Sequence, residues 1–191
     1  LMTLSAVAWG FSAIPPVRRS GVPVDDAGAT CAACHRGTDL NGDPRGSVTI
    51  EMADTYRPGI AQTIKVTIRH PEQSRWGFQL TARQSSDLTK MAGTFTEGTD
   101  VAVRCGTDPG VNRGTVGPCG GAIEFAAHSN APRTDAGAGF TFEVQWMPPA
   151  SEVGEITFYA AGNASNGNNG SGATSGDLIY STSKKVTLGE A

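Results

Sequence analysis

The segment Phe140-Thr-Phe-Glu-Val-Gln-Trp146 alternates apolar and polar residues over seven positions. Successive side chains of a β-strand point to opposite faces, so this pattern predicts a strand with one buried and one solvated face. Residues 63–69 alternate in the same way, with Ile64, Val66 and Ile68 on the apolar side. Both segments therefore predict a sheet that covers a core on one side.

Six other runs have a similar strand-like composition, and turn-forming residues separate them. They are residues 47–52, 77–83, 91–96, 123–127, 155–160 and 179–188. With the two alternating segments they make about eight strands, at the spacing expected of a two-sheet sandwich. We therefore expect an all-β protein with an immunoglobulin-like β-sandwich, in which residues 162–176 form a long solvated loop.

Composition limits the organisation and the partners of the chain. With 191 residues, 38% of them apolar, the chain can bury one substantial core. Its net charge is −3 and its basic residues are scattered, whereas nucleic-acid binding requires a clustered positive surface. No run reaches the roughly 18 to 20 apolar residues of a membrane span. We expect one sandwich over residues 47–191, no nucleic-acid partner and no transmembrane span.

The residues before the sandwich show no sustained periodicity. We expect residues 16–46, called the leader segment below, to be irregular. Residues 1–15 begin with an apolar run that fits either the remnant of a secretory signal peptide or an apolar N-terminal arm. Such an arm needs a surface, and the open sheet edge of a second copy is a ready acceptor, which would give a homo-oligomer or filament.

The leader segment contains Cys31-Ala-Ala-Cys34-His35, the C-x-x-C-H spacing of c-type haem attachment. On a tight turn, two thiols three positions apart can each bond one haem vinyl group, and the adjacent imidazole can then ligate the iron. A chance match is expected in about one chain in a thousand of this composition. We therefore expect one covalent haem c, with thioethers from Cys31 and Cys34 and with His35 as an axial ligand.

Three other interpretations of the motif stay open. A zinc site would use the same three residues and needs a fourth ligand. A thioredoxin-like redox pair expects a βαβ context that the flanking sequence does not show. A disulfide between Cys31 and Cys34 would close a short, strained loop.

The other two cysteines, Cys105 and Cys119, lie in a stretch rich in Gly and Pro. A disulfide between them is the simple interpretation, worth about 3 kcal/mol for a loop of about 14 residues in the chain-entropy model. Haem thioethers and disulfides are both made outside the cytoplasm. We therefore expect an extracytoplasmic protein in the periplasm, at the cell surface or outside the cell.

The second axial ligand is open between two histidines and three methionines. The candidates are His70, His128, Met52, Met91 and Met147. His70 ends a predicted strand, where a solvated turn histidine is the ordinary interpretation. His128 ends another strand, beside Ala126 and Ala127, whose small side chains leave room for a porphyrin edge. We expect His128, with His70 as the alternative.

A calcium site is a weak candidate. Asp39, Asn41 and Asp43 resemble the start of a calcium-binding loop. Pro44 interrupts the pattern, and the twelfth position is Ile50 where such loops have a glutamate.

Several segments resemble one family of bacterial exported proteins, in which a reelin-N-terminal-like (reeler, or choice-of-anchor) β-sandwich follows a C-x-x-C-H segment. The likeness spans most of residues 28–188, and its most specific parts are Arg75-Trp-Gly-Phe78 and Phe158-Tyr-Ala-Ala-Gly-Asn163. The full set of matching segments is residues 28–35, 56–59, 74–82, 92–95, 125–129, 142–149, 156–163 and 176–182. The resemblance implies an immunoglobulin-like sandwich and places His128 at the family's characteristic histidine, the expected distal ligand. The insert between Cys105 and Cys119 departs from the family pattern.

These features favour an exported monohaem c-type cytochrome, an electron carrier and not an enzyme, with a redox partner protein that the sequence does not identify. Two histidine ligands leave no vacant position on the iron. A five-coordinate iron would instead favour a haem-based sensor or peroxidase. The third alternative is a surface adhesion or structural sandwich in which the haem mainly holds the leader segment.

Overall fold

The computed structural model describes residues 13–35, 38–106, 114–168 and 175–190. Over these residues the chain forms a short 3-10 turn (Cys31–Ala33) and twelve β-strands. In chain order the strands are β1 (Ser47–Glu51), β2 (Thr55–Tyr56), β3 (Gln62–Arg69), β4 (Arg75–Gln84), β5 (Asp87–Met91), β6 (Thr94–Thr96), β7 (Val101–Cys105), β8 (Thr115–Val116), β9 (Glu124–His128), β10 (Phe140–Met147), β11 (Ile156–Ser165) and β12 (Leu178–Leu188).

The strands form two sheets that pack face to face. The smaller sheet has the order β1-β3-β10-β6. The larger sheet has the order β2-β12-β11-β4-β9-β7-β8, with β5 paired to β4. Strands β2 and β12 run parallel, and the other paired strands described are antiparallel. Each of the eight predicted runs contains a strand, and the expected all-β sandwich is confirmed.

Alternating side chains build the core between the two sheets. In β10, Phe142, Val144 and Trp146 are buried, while the residues between them are exposed. Phe142 stacks on Phe78 of β4 with ring centroids 4.3 Å apart. Trp146 packs edge-on against Phe158 of β11 at 4.8 Å. Such aromatic pairs contribute about 0.5–1.5 kcal/mol each beyond the area they bury, so they tie the two sheets together.

Two sequence-based boundaries are wrong, and three strands were missed. Strand β11 continues to Ser165, so the beginning of the predicted solvated loop, including Asn163, is buried strand. The predicted run 91–96 is divided between β5 and β6, because Gly93 between them has a φ of +82°, which an extended strand does not adopt. Strands β2, β7 and β8 were missed altogether. Strand β7 pairs with β9 and extends the larger sheet beyond the predicted strands.

The leader segment crosses the outer face of the larger sheet, the face turned away from the core. The side-chain oxygen of Gln79 in β4 accepts a hydrogen bond from the N–H of Arg19, and its amide donates to the carbonyl of Pro16 at 2.8 Å. Further along the leader, Asp25 forms a buried ion pair with Arg83, also in β4. The leader is thus irregular, as predicted, and is bound to the sheet by polar side chains.

The predicted disulfide between Cys105 and Cys119 is present, with the two Cα atoms 5.3 Å apart. It joins the end of β7 to the segment after β8. The proposed N-terminal arm falls mostly on residues 1–12, which lie outside the described residues. In the described part of the chain, no helix has the length and apolar character needed to cross a bilayer.

Candidate haem-binding site

The C-x-x-C-H motif forms one tight turn next to β11. Thr30 begins the turn, and its Oγ1 accepts a hydrogen bond from the N–H of Ala32 at 3.2 Å. The N–H groups of Cys34 and His35 both donate to the carbonyl of Cys31, at 3.2 Å and 2.9 Å. The two thiols and the imidazole therefore leave the backbone within a single turn, and neither thiol is in a disulfide.

Two residues of the larger sheet hold the His35 ring. Its Nδ1 lies 2.6 Å from Oδ2 of Asp177, which directly precedes β12 and has a fully buried side chain. The Nδ2 of Asn163 in β11 lies 3.1 Å from Nδ1 and 3.3 Å from Nε2 of the same ring. When Nδ1–H donates to a carboxylate, the free lone pair is at Nε2, which is the arrangement common in metal-ligating histidines.

His128 ends β9, and its ring lies against β4. A Cβ at Gly77 would be 2.9 Å from Cε1 of this ring, so the imidazole occupies space that only glycine leaves open. The N–H of Phe78 donates to Nδ1 of His128 at 3.1 Å, and the carbonyl oxygen of Phe78 lies 3.2 Å from the same nitrogen. Gly77 pairs directly across the β4–β11 ladder with Asn163, which contacts His35. Both histidine rings therefore lie beside the Gly77–Asn163 pair of the larger sheet.

The two alanines beside His128 do not leave room for a porphyrin edge, contrary to the sequence-based argument. Ala126 belongs to the core between the sheets. Ala127 is buried and pairs with Gln79, which binds the leader segment. The space that Gly77 leaves open is filled by the His128 ring itself.

His70 lies at the end of β3, in the smaller sheet, and it is buried and not solvated as predicted. Its Nε2 is 3.2 Å from Oδ2 of Asp43, and its Nδ1 accepts a hydrogen bond from the N–H of Glu72 at 3.2 Å. Binding iron through Nε2 would cost His70 the Asp43 contact, and Nδ1, then protonated, could no longer accept from Glu72. Two of the candidate methionines, Met52 and Met91, pack against the core, and the third, Met147, is exposed at the end of β10.

The structure bears on two of the other interpretations of the motif, the redox pair and the zinc site. Burial, and secondarily the neighbouring Cys34, raise the pKa of the Cys31 thiol to about 12. A thioredoxin-like pair depends on a lowered thiol pKa. Among the described residues, no three His, Cys, Asp or Glu side chains are grouped as a metal site would require, so a zinc site is not preformed.

Two of the three predicted calcium ligands, Asn41 and Asp43, already have protein partners. Oδ1 of Asn41 accepts a hydrogen bond from the N–H of Ser181 at 2.9 Å. Asp43 pairs with Arg45 at 2.7 Å, and hydrogen bonds from that side chain and its backbone N–H hold the pKa of the carboxyl far below its usual range. Asp43 also lines an open cleft of about 570 Å³, together with Thr38, Asp39, Gly42, Pro44 and Leu178. The cleft lies beside Asp177, because the Thr38 hydroxyl donates to the carbonyl of that residue at 3.0 Å.

The residues at the motif fit one covalent haem c. Two unpaired thiols lie on the same turn as an imidazole whose Nδ1 already has a carboxylate partner. Beside them, the buried Oδ1 of Asn163 has no hydrogen-bond partner among the residues that the structure describes. The Asn163 amide, which lies near Nε2, would have to move for that nitrogen to bind iron.

Sequence analysis missed Asp177 and Asn163. Asp177 is a single acidic residue before an apolar strand, and 142 positions separate it from His35. Asn163 was assigned to a loop. Its only sequence signal was its place at the end of Phe158-Tyr-Ala-Ala-Gly-Asn163, a specific segment of the family resemblance.

No protein-family model and no curated protein sequence matches the chain. Among solved structures, it is similar to the human F-spondin reeler domain (fragment 1), with 18% identity over 81% of this chain and 92% of that chain and a TM-score of 0.47. It is also similar to BslA, described as a bacterial hydrophobin, with 14% identity over 76% of this chain and 96% of that chain and a TM-score of 0.38. At these identities and TM-scores, neither similarity bears on function.

Proposed function

We propose that this protein is an exported monohaem c-type cytochrome that transfers electrons outside the cytoplasm. The observation that carries the proposal is the contact between His35 of the C-x-x-C-H turn and the buried carboxylate of Asp177. A metal-ligating histidine almost always donates its second N–H to such a partner. In a turn that binds no metal, the histidine would not require a buried carboxylate as a partner.

Each residue of the site has a distinct part in this function. Cys31 and Cys34 would hold the haem by thioether bonds, which need unpaired thiols, and both thiols are unpaired. His35 would ligate the iron through Nε2, while Asp177 keeps the ring orientation and the tautomer fixed. His128 is the proposed second ligand because its ring lies beside Gly77, which pairs with Asn163, a contact of His35. The bound haem would supply the one-electron exchange between ferric and ferrous iron.

The disulfide between Cys105 and Cys119 supports an extracytoplasmic location, because disulfides persist mainly in oxidising compartments. Export also suits a haem attached by thioethers. The structural alternative, in which haem serves to hold the leader segment, has less support. Gln79 and Arg83 already bind the leader to the sheet through polar contacts that involve no haem.

The direct test is expression in the periplasm of a host with c-type haem maturation. We expect one haem per chain by the pyridine haemochrome assay, and haem that stays with the polypeptide in acidic acetone and in denaturing gels. The double variant Cys31→Ser, Cys34→Ser should lose covalent haem. The matched control is Cys105→Ser, Cys119→Ser, which replaces the same number of cysteines outside the motif and should keep covalent haem. Haem that is fully extracted from the unmodified protein, or zinc bound in its place, would refute the proposal.

A further inference from the structure

Asp177 is the least exposed carboxylate near the C-x-x-C-H turn, with a side-chain exposure of 0%. Its Oδ2 contacts Nδ1 of His35, and its Oδ1 accepts a hydrogen bond from the N–H of Asn166 at 3.3 Å. Its backbone carbonyl accepts a hydrogen bond from the hydroxyl of Thr38 at 3.0 Å. Neighbours on both sides therefore hold this carboxylate in one orientation, aimed at the histidine.

We propose that Asp177 is a positioning residue that lowers the reduction potential of the centre ligated by His35. This inference rests on the proposed function. A carboxylate that accepts the Nδ1–H of an imidazole draws the proton towards itself and makes the ring a stronger electron donor to a metal at Nε2. A stronger donor favours ferric over ferrous iron.

The charge of Asp177 acts in the same direction. Ferric iron carries one more positive charge than ferrous iron, so a nearby anion stabilises the ferric state. The interaction is stronger where water is excluded, as it is around this side chain. Arg75 is near enough to interact electrostatically with Asp177 and offsets part of the effect, but it is partly exposed. In the reduction step one electron enters the iron from an external one-electron donor, and the proton stays on Nδ1 of His35.

The experiment compares reduction potentials of purified holoprotein by spectroscopic titration with dithionite as the reductant. Asp177→Asn keeps the shape of the side chain and removes its charge. We expect its potential to be more positive by at least about 59 mV, which is a tenfold change in the one-electron equilibrium. Asp39→Asn is the matched control, because it removes an exposed carboxylate from the wall of the adjacent cleft. Its potential should stay close to that of the unmodified protein.

The outcomes separate this inference from the proposed function. Absence of covalent haem in the unmodified protein contradicts the proposed function. Equal haem content in all variants with an unchanged potential in Asp177→Asn overturns the inference and leaves the proposed function standing. If Asp177→Asn does not fold, NMR of the unmodified ferrous protein tests the inference instead. The Nδ1 proton of His35 should resonate far downfield and exchange slowly with water, and a rapidly exchanging proton would contradict the inference.

Discussion

At the scale of single residues, Glu124 is a carboxylate buried between the two sheets. Its exposure is 6%, and its Oε2 accepts a hydrogen bond from the N–H of Phe95 at 2.7 Å. Desolvation raises the pKa of Glu124 in the folded protein, and the Phe95 hydrogen bond opposes it only in part. The folded state therefore binds this proton more tightly than the unfolded state, so the contribution of Glu124 to stability falls as pH rises.

We predict that Glu124→Gln stabilises the protein relative to the unmodified chain by an amount that grows from about pH 4 to pH 7. Below that range the carboxyl is protonated in both states, and the two proteins should respond alike to pH. Urea denaturation at a series of pH values measures the difference. The control is Glu155→Gln, since Lys185 lowers the pKa of the partly exposed Glu155 and the pH trend should reverse. A difference for Glu124→Gln that does not change with pH would contradict the prediction.

At the scale of elements, the leader segment depends on the ion pair between Asp25 and Arg83, whose side chains are 6% and 1% exposed. Arg83 also donates to the carbonyl of Leu88 at 2.8 Å and lies over the ring of Phe125 at 5.4 Å. Those contacts would remain if Asp25 were neutral. The guanidinium charge would then be buried without its carboxylate.

We predict that Asp25→Asn costs about 3–5 kcal/mol, because it leaves one partner of a buried ion pair uncompensated. The loss should appear first as faster protease cleavage within residues 16–35, since the leader can detach before the sandwich unfolds. Asp26→Asn is the matched control on the same segment. Asp26 pairs with Arg19, but its side chain is 21% exposed, so the change should cost about 0–1 kcal/mol. Equal cleavage rates in the two variants would show that the Asp25–Arg83 pair does not hold the leader.

The strands were largely predictable because alternation in segments such as 63–69 and 140–146 reports one buried face directly. Strand β7 was not predictable, because Val101-Ala-Val-Arg-Cys105 is short and becomes a strand only through its pairing with β9. Alternation also does not say which strands are neighbours. The C-x-x-C-H turn was predictable because its residues are contiguous in the sequence. Asp177 was not, because only the folded sheet brings it to His35.

At the scale of the whole molecule, the second axial ligand decides between an electron carrier and a sensor or peroxidase. Iron with an imidazole on each side has no vacant position, so it exchanges electrons without binding oxygen, peroxide or carbon monoxide. The His128 ring lies beside Gly77, which pairs with the His35 contact Asn163, whereas His70 follows a strand of the other sheet. We therefore keep His128 as the proposed ligand, although the sequence-based argument from its neighbouring alanines was wrong.

We predict that unmodified ferrous protein is low-spin and does not bind carbon monoxide, and that His128→Ala gives a high-spin haem that does. The matched variant His70→Gln should stay low-spin. It loses buried hydrogen bonds to Asp43 and Glu72, and we expect it to lose about 1–3 kcal/mol of stability, so a loss of stability can be told apart from a loss of the iron ligand.

If His128→Ala folds poorly, His128→Met offers the iron another ligand and should restore a low-spin spectrum with methionine character. A high-spin spectrum in His70→Gln alone would move the ligand to His70. Carbon monoxide binding by the unmodified protein would favour a sensor or peroxidase, because it would show an open position that an electron carrier of this kind lacks.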